Sequence, residues 1–295
     1  VAQAKAAFSP VISIAGAIST EHEGMDAFQE VDQQSLFEPI TKKTFTVRKT
    51  ELIPQILQKA FSLALSPRCG PVHLNFPRNI LANLHQFDKI QKHEVKNLSS
   101  VEEVDLMNII KIIDGAKKPL IIAGGGVKNS LCHETVLKIS TLLNIPIVSS
   151  AGHGDVMPFD EILYAGQMGP RGNPVATKLV KDADIILALG TRLGFNSTFY
   201  SYDNINSKAE IIQIDIDKES LGRYFPIALG ICNDVKDLTE KLFIKIKEKN
   251  ILPSSYSWVQ DFLVNKKNYI EKRDLEADLS FIPIQPSGLF KILRE

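Results

Sequence analysis

The sequence predicts an α/β protein in which a doubly wound parallel sheet is preceded by part of a second α/β domain. Two apolar runs support this prediction: 119–123 passes into three glycines, and 183–189 passes into Gly190. Such runs are typical of strands that helices bury on both faces, as in parallel sheets. Glycine at the carboxyl end of a strand allows a tight turn and a close approach to a ligand. Two such strand ends indicate a crevice for a nucleotide-type ligand.

The composition fits a globular chain of about two domains and excludes several classes of function. Of the 295 residues, 44% are hydrophobic and 23% are charged, and 34 basic residues balance 34 acidic ones. No excess of positive charge favours nucleic acid or an anionic membrane. The cysteines have no metal-ligand spacing, and no apolar run approaches the roughly 20 residues that span a bilayer. We expect a cytoplasmic protein with no nucleic-acid or membrane partner.

Residues 1–90 are expected to form the first domain. In chain order the patterns predict a helix at 1–8, a strand at 11–15, an amphipathic helix at 51–65 and a strand at 72–76. The polar stretch 88–99 breaks this pattern and is interpreted as an interdomain linker.

Residues 100–250 are expected to form a central nucleotide-binding-like domain, because strands and helices alternate along them. Ser100 and Glu103 fit a capping box for a helix that runs to about 114. The predicted strands are 120–123, 145–149, 185–190 and 211–215, and the predicted helices are 131–143, 174–182 and 235–247.

Residues 251–295 are charged and less periodic, and they contain the only tryptophan, Trp258. We interpret them as a helical connector and the start of a further domain. The first residue is Val1, and both ends of the chain have the pattern of a helix that is cut short. We therefore expect a fragment of a longer protein.

Charged residues follow the predicted strands. Arg192 comes directly after Gly190 and Thr191, where a guanidinium can pair with a phosphate through two hydrogen bonds, although a surface arginine fits equally well. Asp215 ends another strand, where a carboxylate can accept hydrogen bonds from ribose hydroxyls. For Asp217 the pattern favours a helix cap instead. It favours a cap for Asp234 too, whose neighbours could approach the ligand.

Other chemistries find little support in the sequence. The triple glycine is not a dinucleotide fingerprint, because Asn129 stands where G-x-G-x-x-G needs its last glycine. The six histidines are scattered without metal-type pairing, and no G-x-S-x-G elbow is present.

Motifs at 24–30 (GMDAFQE), 40–42 (ITK) and 70–78 (GPVHLNFPR) resemble those of the thiamine-diphosphate enzymes of the acetolactate synthase type. The resemblance covers the second half of their pyrimidine-binding domain and their central domain. It implies a full-length enzyme that uses thiamine diphosphate and Mg²⁺ on a 2-oxo acid such as pyruvate, in branched-chain amino acid biosynthesis. It also implies a homodimer or tetramer, which a regulatory subunit can join.

The resemblance implies roles for residues in both domains. Phe28 would shape the acceptor pocket, Gln29 would lie near the cofactor, and Lys42 would attract an anionic oxo acid near the entrance. Acetolactate synthases hold FAD structurally in the central domain. The positions implied for it here are Arg68, Gly124, Gly125, Gly126, Arg171, Gly172, Gly190, Thr191, Arg192, Asp215, Ile216 and Asp234. The activating glutamate and the Mg²⁺ motif of the family would lie outside 1–295, so this chain alone is expected to be inactive.

Two alternatives stay open at this point. The run 188–193 (ALGTRL) is closer to sulfoacetaldehyde acetyltransferase, a relative that is not expected to need FAD. Ser19 and Glu21 stand where acetolactate synthases tend to have proline and arginine. In another class, 124–126 and Arg192 would also suit a non-catalytic flavin- or nucleotide-binding module, although the motif at 24–30 counts against this.

Overall fold

The computed structural model describes residues 1–66, 68–87, 100–251, 257–280 and 282–293. The chain divides into two compact units, Val1–Asn97 and Leu98–Glu295. The linker predicted at 88–99 lies outside the described residues. The domain boundaries at 90, 100 and 250 stay a prediction.

The first unit is built on a three-stranded parallel sheet of order β1-β3-β2. Its strands are β1 (Ile12–Ala17), β2 (Lys43–Thr46) and β3 (Val72–Pro77), and its helices are α1 (Ala2–Ala7), α2 (Gln33–Phe37), α3 (Ile53–Leu65) and α4 (Arg78–Ala82). Every residue of the central strand β3 is buried. The core joins β3 to one face of α3, through side chains such as Leu74 and Ala60.

The sequence predicted all of these elements except β2, α2 and α4. Strand β2 has four residues and pairs only with β3. Its first residue, Lys43, is exposed, so the segment has no continuous apolar run that would distinguish it from a loop.

The second unit contains a six-stranded parallel sheet of order β6-β5-β4-β7-β8-β9. Its strands are β4 (Pro119–Ala123), β5 (Ile147–Ser149), β6 (Tyr164–Gln167), β7 (Ile185–Leu189), β8 (Glu210–Asp215) and β9 (Leu229–Cys232). Its helices are α5 (Glu103–Asp114), α6 (Gly125–Asn129), α7 (His133–Leu143), α8 (Pro174–Asp182), α9 (Phe195–Thr198), α10 (Val235–Glu248), α11 (Ser257–Glu276) and α12 (Pro286–Ile292).

The predicted doubly wound α/β fold is confirmed for this unit. All five residues of β4 and of β7 are buried, so both faces of the sheet centre are covered. Helices α5 and α7 both contact α10, while α8 contacts α11, so two groups of helices cover the sheet. The strand order is that of the doubly wound nucleotide-binding folds.

Strands β6 and β9 were not predicted. Each contains a glycine, and Gly166 has a φ of +98°. Both strands lie at the edges of the sheet, and the pairing of β5 with β6 shifts register. Short, glycine-containing edge strands lack the apolar run by which the central strands are recognised.

The predicted capping box at the start of α5 is wrong. Helix α5 has Glu102 at its N-cap and no side-chain capping bond. The Ser100 hydroxyl instead accepts a hydrogen bond from Lys241, and Glu103 pairs with Lys245. Both lysines lie on α10, so contacts between two helices outcompete the local pattern.

The region predicted as a helical connector contains two helices, α11 and α12, among the described residues after 251. Trp258 and Phe262 of α11 are buried in the core of the second unit, with 8% and 2% of their surface exposed. The Lys266 ammonium also donates to the Glu161 carbonyl at 2.6 Å. Helix α11 is therefore fixed to this unit.

Candidate functional site

The strand order of the second unit reverses between β4 and β7. These strands pair in parallel with Ala123 opposite Leu189. From β4 the chain proceeds to β5 on one side, and from β7 it proceeds to β8 on the other. The loops that follow β4 and β7 therefore leave the same edge of the sheet side by side and then diverge. In open α/β sheets a ligand crevice forms at this point.

Three glycines of these two loops pack backbone to backbone. The N–H groups of Gly124 and Gly126 donate to the carbonyls of Leu189 and Gly190, at 2.9 and 3.0 Å. A Cβ on Gly124 would lie 2.3 Å from the Gly190 carbonyl oxygen, and a Cβ on Gly190 would lie 2.4 Å from the Gly126 Cα. We call Gly124, Gly126 and Gly190 the glycine interlock. The packing of the two loops is enough to explain why these three residues are glycines, since no side chain fits at any of them.

The fourth glycine, Gly125, faces the loop after β5. A Cβ there would lie 2.7 Å from Cε1 of His153, whose ring is half-buried. Burial lowers the pKa of His153, and the charges of Lys128 and Arg192 lower it further, against the opposing effect of Asp155. Two cations therefore act on this imidazole at the edge of the crevice.

His153 was missed in the sequence because histidines were considered as metal pairs. The useful signal was its position, four residues after the end of the buried strand β5. The carboxyl ends of adjacent parallel strands meet at one edge of a sheet. The residues that follow β5, His153 among them, must therefore lie near the loop after β4.

An ion pair joins the loops after β4 and β5. The Lys128 ammonium contacts the Asp155 carboxylate, and this hydrogen bond lowers the pKa of Asp155. More than half of each side chain is exposed, so the pair adds little to stability. Its role in the geometry is to connect the two loops beside His153.

A buried glutamine ties the loop after β7 to the loop after β8. Gln213 is 2% exposed, and its amide N–H groups donate to the carbonyls of Thr191 and Ser220 at 3.0 and 3.2 Å. Its oxygen accepts from the Gly222 N–H at 2.8 Å. The signal in the sequence was a single amide inside the apolar strand 211–214, where an unpaired polar group would be costly.

Arg192 is close enough to two titratable groups to influence both electrostatically. Its guanidinium acts electrostatically on His153, after β5, and on Tyr200, after β7. A hydrogen bond with Tyr224 and burial raise the pKa of Tyr200, while Arg192 opposes this rise. Arg192 is itself half-buried beside the buried Thr191.

Aromatic side chains follow Arg192 directly. The Phe195 ring stacks on Phe199 with centroids 4.8 Å apart and approaches the Tyr200 ring at 5.6 Å. Tyr200 stacks on Tyr224 at 4.4 Å. We call these four residues the aromatic cluster. Its three members from 195–200 are 54%, 38% and 48% exposed, in chain order.

The loop after β6 contributes the predicted pair Arg171 and Gly172. A Cβ on Gly172 would lie 2.3 Å from the Gln167 carbonyl oxygen, so this glycine closes a tight turn. In the same loop, a Cβ on Gly169 would lie 2.8 Å from the Asn196 carbonyl oxygen. The loop thus reaches α9, and Arg171 is exposed on it.

The predicted acidic positions serve backbone groups. Asp215 is 9% exposed, and its carboxylate accepts from the Asp217 N–H at 3.0 Å. Asp217 caps the short 3-10 helix Lys218–Ser220, as predicted. Asp234 caps α10 through the Lys236 N–H at 2.7 Å and accepts from the Ser130 hydroxyl at 3.2 Å. The interpretation of Asp234 as a helix cap is confirmed. Ile216, the residue after Asp215, is half-buried.

Two of the four predicted residues of the first unit lie in the glycine-opened loop 24–30. Phe28 is 88% exposed, and Gln29 has a φ of +64°. The Glu30 carboxylate accepts from the N–H groups of Gly24 and Ala27 at 2.6 and 3.1 Å, and these bonds lower its pKa. Glu30 therefore shapes the loop that presents Phe28 and Gln29.

The other two, Lys42 and Arg68, are engaged within the first unit. The Lys42 ammonium donates to the Ser66 carbonyl and hydroxyl and to the Arg68 carbonyl, at 3.1, 2.8 and 2.8 Å. Burial lowers the pKa of Lys42. The Arg68 guanidinium lies 4.3 Å from the centre of the Phe8 ring. In this arrangement both cations contact their own unit, and their roles toward a substrate or FAD stay predictions.

The described residues contain neither a metal-ligand cluster nor a membrane-spanning helix. No group of three or more His, Cys, Asp or Glu side chains could hold a metal ion within those ranges. Among the same residues, no helix combines the length and the apolar character that crossing a membrane requires.

Known proteins resemble this chain in both of its units. The family described as thiamine pyrophosphate enzyme, central domain, matches residues 106–242. Probable acetolactate synthase large subunits of Methanococcus aeolicus and Methanocaldococcus jannaschii are each 30% identical, over 99% and 100% of this chain and 50% of their own length. The acetolactate synthase large subunit of Buchnera aphidicola subsp. Schlechtendalia chinensis is 29% identical over 96% of this chain. The chain spans about half the length of these curated relatives. Residues 106–242 thus match the central domain of the thiamine pyrophosphate enzymes, and the whole chain is similar to acetolactate synthase large subunits.

Proposed function

We propose that this chain is part of a thiamine-diphosphate-dependent carboligase of the acetolactate synthase type. Such an enzyme decarboxylates a 2-oxo acid such as pyruvate and adds the remaining acyl unit to an acceptor carbonyl, at the start of branched-chain amino acid biosynthesis. The observation that carries the proposal is the match to acetolactate synthase large subunits over 99–100% of this chain. That match includes both units, so it favours an enzyme over a nucleotide-binding module alone.

Thiamine diphosphate supplies the carbanion chemistry in this family. The residues of this chain proposed to face it are Phe28 and Gln29, and the exposure of Phe28 leaves it accessible to a bound group. For Mg²⁺ the described residues contain no ligand cluster, so we assign no role in metal binding to them.

We also propose that FAD binds at the reversal of strand order, where it serves structure rather than redox chemistry. The floor there is formed by the glycine interlock. Two residues beyond Gly190 stands the half-buried Arg192. A guanidinium beside a floor of bare backbone suits a diphosphate, and Arg192 would hold it.

The sulfoacetaldehyde acetyltransferase alternative is not favoured, because the relatives reported above are acetolactate synthases. The resemblance of 188–193 to that enzyme supports it only locally. It is retained as an outcome of the activity test.

The test is a carboligation assay on the full-length gene product with thiamine diphosphate and Mg²⁺. Pyruvate alone is expected to yield acetolactate and carbon dioxide. A parallel assay supplies sulfoacetaldehyde and inorganic phosphate and is expected to show no turnover. Turnover in the second assay alone would contradict the proposal, as would activity in neither.

The role of Gln29 is tested in the same assay. Asparagine tolerates the left-handed backbone of this position, so Gln29→Asn shortens the side chain without adding strain. We expect kcat/KM to fall at least about tenfold, the cost of one misplaced polar contact. The control is Gln34→Asn, which makes the same change on the exposed surface of α2.

The assembly is a further part of the proposal. We propose a homodimer or tetramer, in which a thiamine-diphosphate site is shared between subunits, and a regulatory subunit as partner. Light scattering of the full-length protein measures the mass directly. A monomer that forms acetolactate would contradict the shared site.

A further inference from the structure

The aromatic cluster is unusual because its backbone is strained. Phe199 and Tyr200 have φ values of 49° and 55°, and Leu193, shortly before them, has 52°. Bulky side chains rarely adopt this left-handed conformation, because it brings Cβ too close to the following carbonyl oxygen. Strain of this kind persists only where surrounding contacts impose it, and it concentrates at functional sites.

Contacts from a buried threonine impose this conformation. The Thr198 hydroxyl donates to the Leu193 carbonyl at 3.0 Å and accepts from the Tyr200 N–H at 3.1 Å. Thr198 is 0% exposed. The turn therefore directs aromatic rings outward, although burying them would be favourable.

The rings form a connected and anchored surface. Tyr224 is partly buried against the core, and Tyr200 stacks on it with a hydrogen bond between the side chains. Phe195 and Phe199 extend this stack. A preorganised aromatic surface loses little entropy when it binds a flat ligand.

The position of the surface selects the kind of ligand. The cluster begins three residues after Arg192, whose charge reaches both His153 and Tyr200. The Arg223 guanidinium lies 5.5 Å from the centre of the Tyr224 ring. One cation thus contacts the cluster and a second precedes it in the chain, which matches a ligand that combines an aromatic ring with phosphates.

We propose that the aromatic cluster stacks against the planar ring of a nucleotide whose diphosphate lies at the glycine interlock beside Arg192. This inference extends the nucleotide site proposed above and rests on it. Phe195 and Tyr200 are its specificity-determining residues. Hydrocarbon side chains of similar volume would cover the same surface without offering a flat face.

The experiment measures dissociation constants for FAD, ADP and inorganic pyrophosphate by calorimetry on the full-length protein. Phe195→Leu and Tyr200→Leu are each expected to weaken FAD and ADP about tenfold, through the loss of one stacking partner. Pyrophosphate has no ring, so its affinity is expected to stay unchanged. Tyr200→Phe keeps the ring and is expected to retain near-normal affinity for both nucleotides.

The matched control is Tyr202→Leu. Tyr202 belongs to the same loop and is 52% exposed, but its ring packs edge-on against Phe225, 5.5 Å away, outside the stack. Its replacement is expected to leave all three affinities unchanged. Far-ultraviolet circular dichroism checks that each variant keeps its fold.

Several results would overturn the inference. These are unchanged FAD and ADP affinities in both leucine variants, an equal loss for pyrophosphate, or no binding of any of the three ligands by the parent protein. A changed oligomeric mass with unchanged affinities would assign the cluster to a subunit interface instead. Carboligation is measured separately: an inactive protein with Tyr200-dependent ADP binding would contradict only the proposed enzyme activity.

Discussion

The loop at 24–30 in the first unit and the loops after β4 and β7 in the second unit both depend on glycine, for different physical reasons. Gly24 has a φ of +78°, and a Cβ there would meet nothing within 4 Å. Gly190 has a φ of +59°, and a Cβ there would collide with Gly126. The first glycine serves only the conformation of its own residue, whereas the second also serves the approach of two chain segments. Glycine-containing motifs that look alike in the sequence therefore differ in the substitutions that they tolerate.

The largest expected effect comes from Gly190→Ala. The new methyl group combines backbone strain with a collision in the glycine interlock, so we expect a loss of about 3 kcal/mol in the free energy of unfolding. Trp258 and all six tyrosines lie in the second unit, so fluorescence during urea unfolding monitors that unit alone. Gly194→Ala is the matched control, because a Cβ at Gly194 would meet nothing within 4 Å and its φ is −72°. Equal midpoints for the two variants would refute the interlock.

Gln213→Leu is expected to have the next largest effect, a loss of about 2 kcal/mol. The substitution leaves the buried carbonyls of Thr191 and Ser220 without the amide that satisfies them. The same urea titration measures the loss. Gln167→Leu is the control, since this side chain accepts one bond, from the Gly152 N–H at 3.0 Å, at a partly exposed position. A smaller loss at Gln213 than at Gln167 would show that the loops after β7 and β8 are not held by this amide.

Gly24→Ala is expected to cost about 1 kcal/mol, because only the backbone is strained there. The first unit contains no tryptophan or tyrosine, so its unfolding is followed as the part of the far-ultraviolet circular dichroism change that does not coincide with the fluorescence change. Gly24→Asn is the companion variant, since asparagine tolerates this conformation better, and it should recover part of the loss. A loss at Gly24 as large as that at Gly190 would erase the distinction between the two loops.

The smallest expected effect is a pH dependence that both units share. Burial lowers the pKa of His73 in the first unit and of His153 in the second. The unfolded chain then binds more protons than the folded one, so the free energy of unfolding should fall as the pH drops below the unfolded histidine value of about 6.5. His153→Gln should flatten this decline in the fluorescence signal and leave it intact in the part of the dichroism change that does not coincide with the fluorescence change. A decline unchanged in both signals would contradict the assignment to His153.

The sequence predicted the centre of the fold better than its periphery. Strands β4 and β7 were recognisable because burial on both faces requires a continuous apolar run. Strands β2, β6 and β9 lie at sheet edges and have no such requirement. At the start of α5, the capping rule failed because Ser100 and Glu103 contact lysines about 140 residues away. Local patterns carry no information about partners at that distance.

The site shows the same limit. The glycines and Arg192 were found because they stand directly after predicted strands. Gln213, His153 and the aromatic cluster were missed, since their significance depends on which strands are neighbours in the sheet. Once the order β5-β4-β7-β8 is known, each of them follows from its place at one edge.

The glycine interlock has a consequence for how this region can change over time. The floor of the crevice consists of main chain, and no side chain can be introduced at its glycines. Selection on these positions can therefore only keep them as glycine. Substitutions are then tolerated only in the walls, at positions such as His153 and 195–200. If the proposed nucleotide binds there, changes in the walls alone could replace it with another ligand or abolish its binding while the strands beneath keep their arrangement.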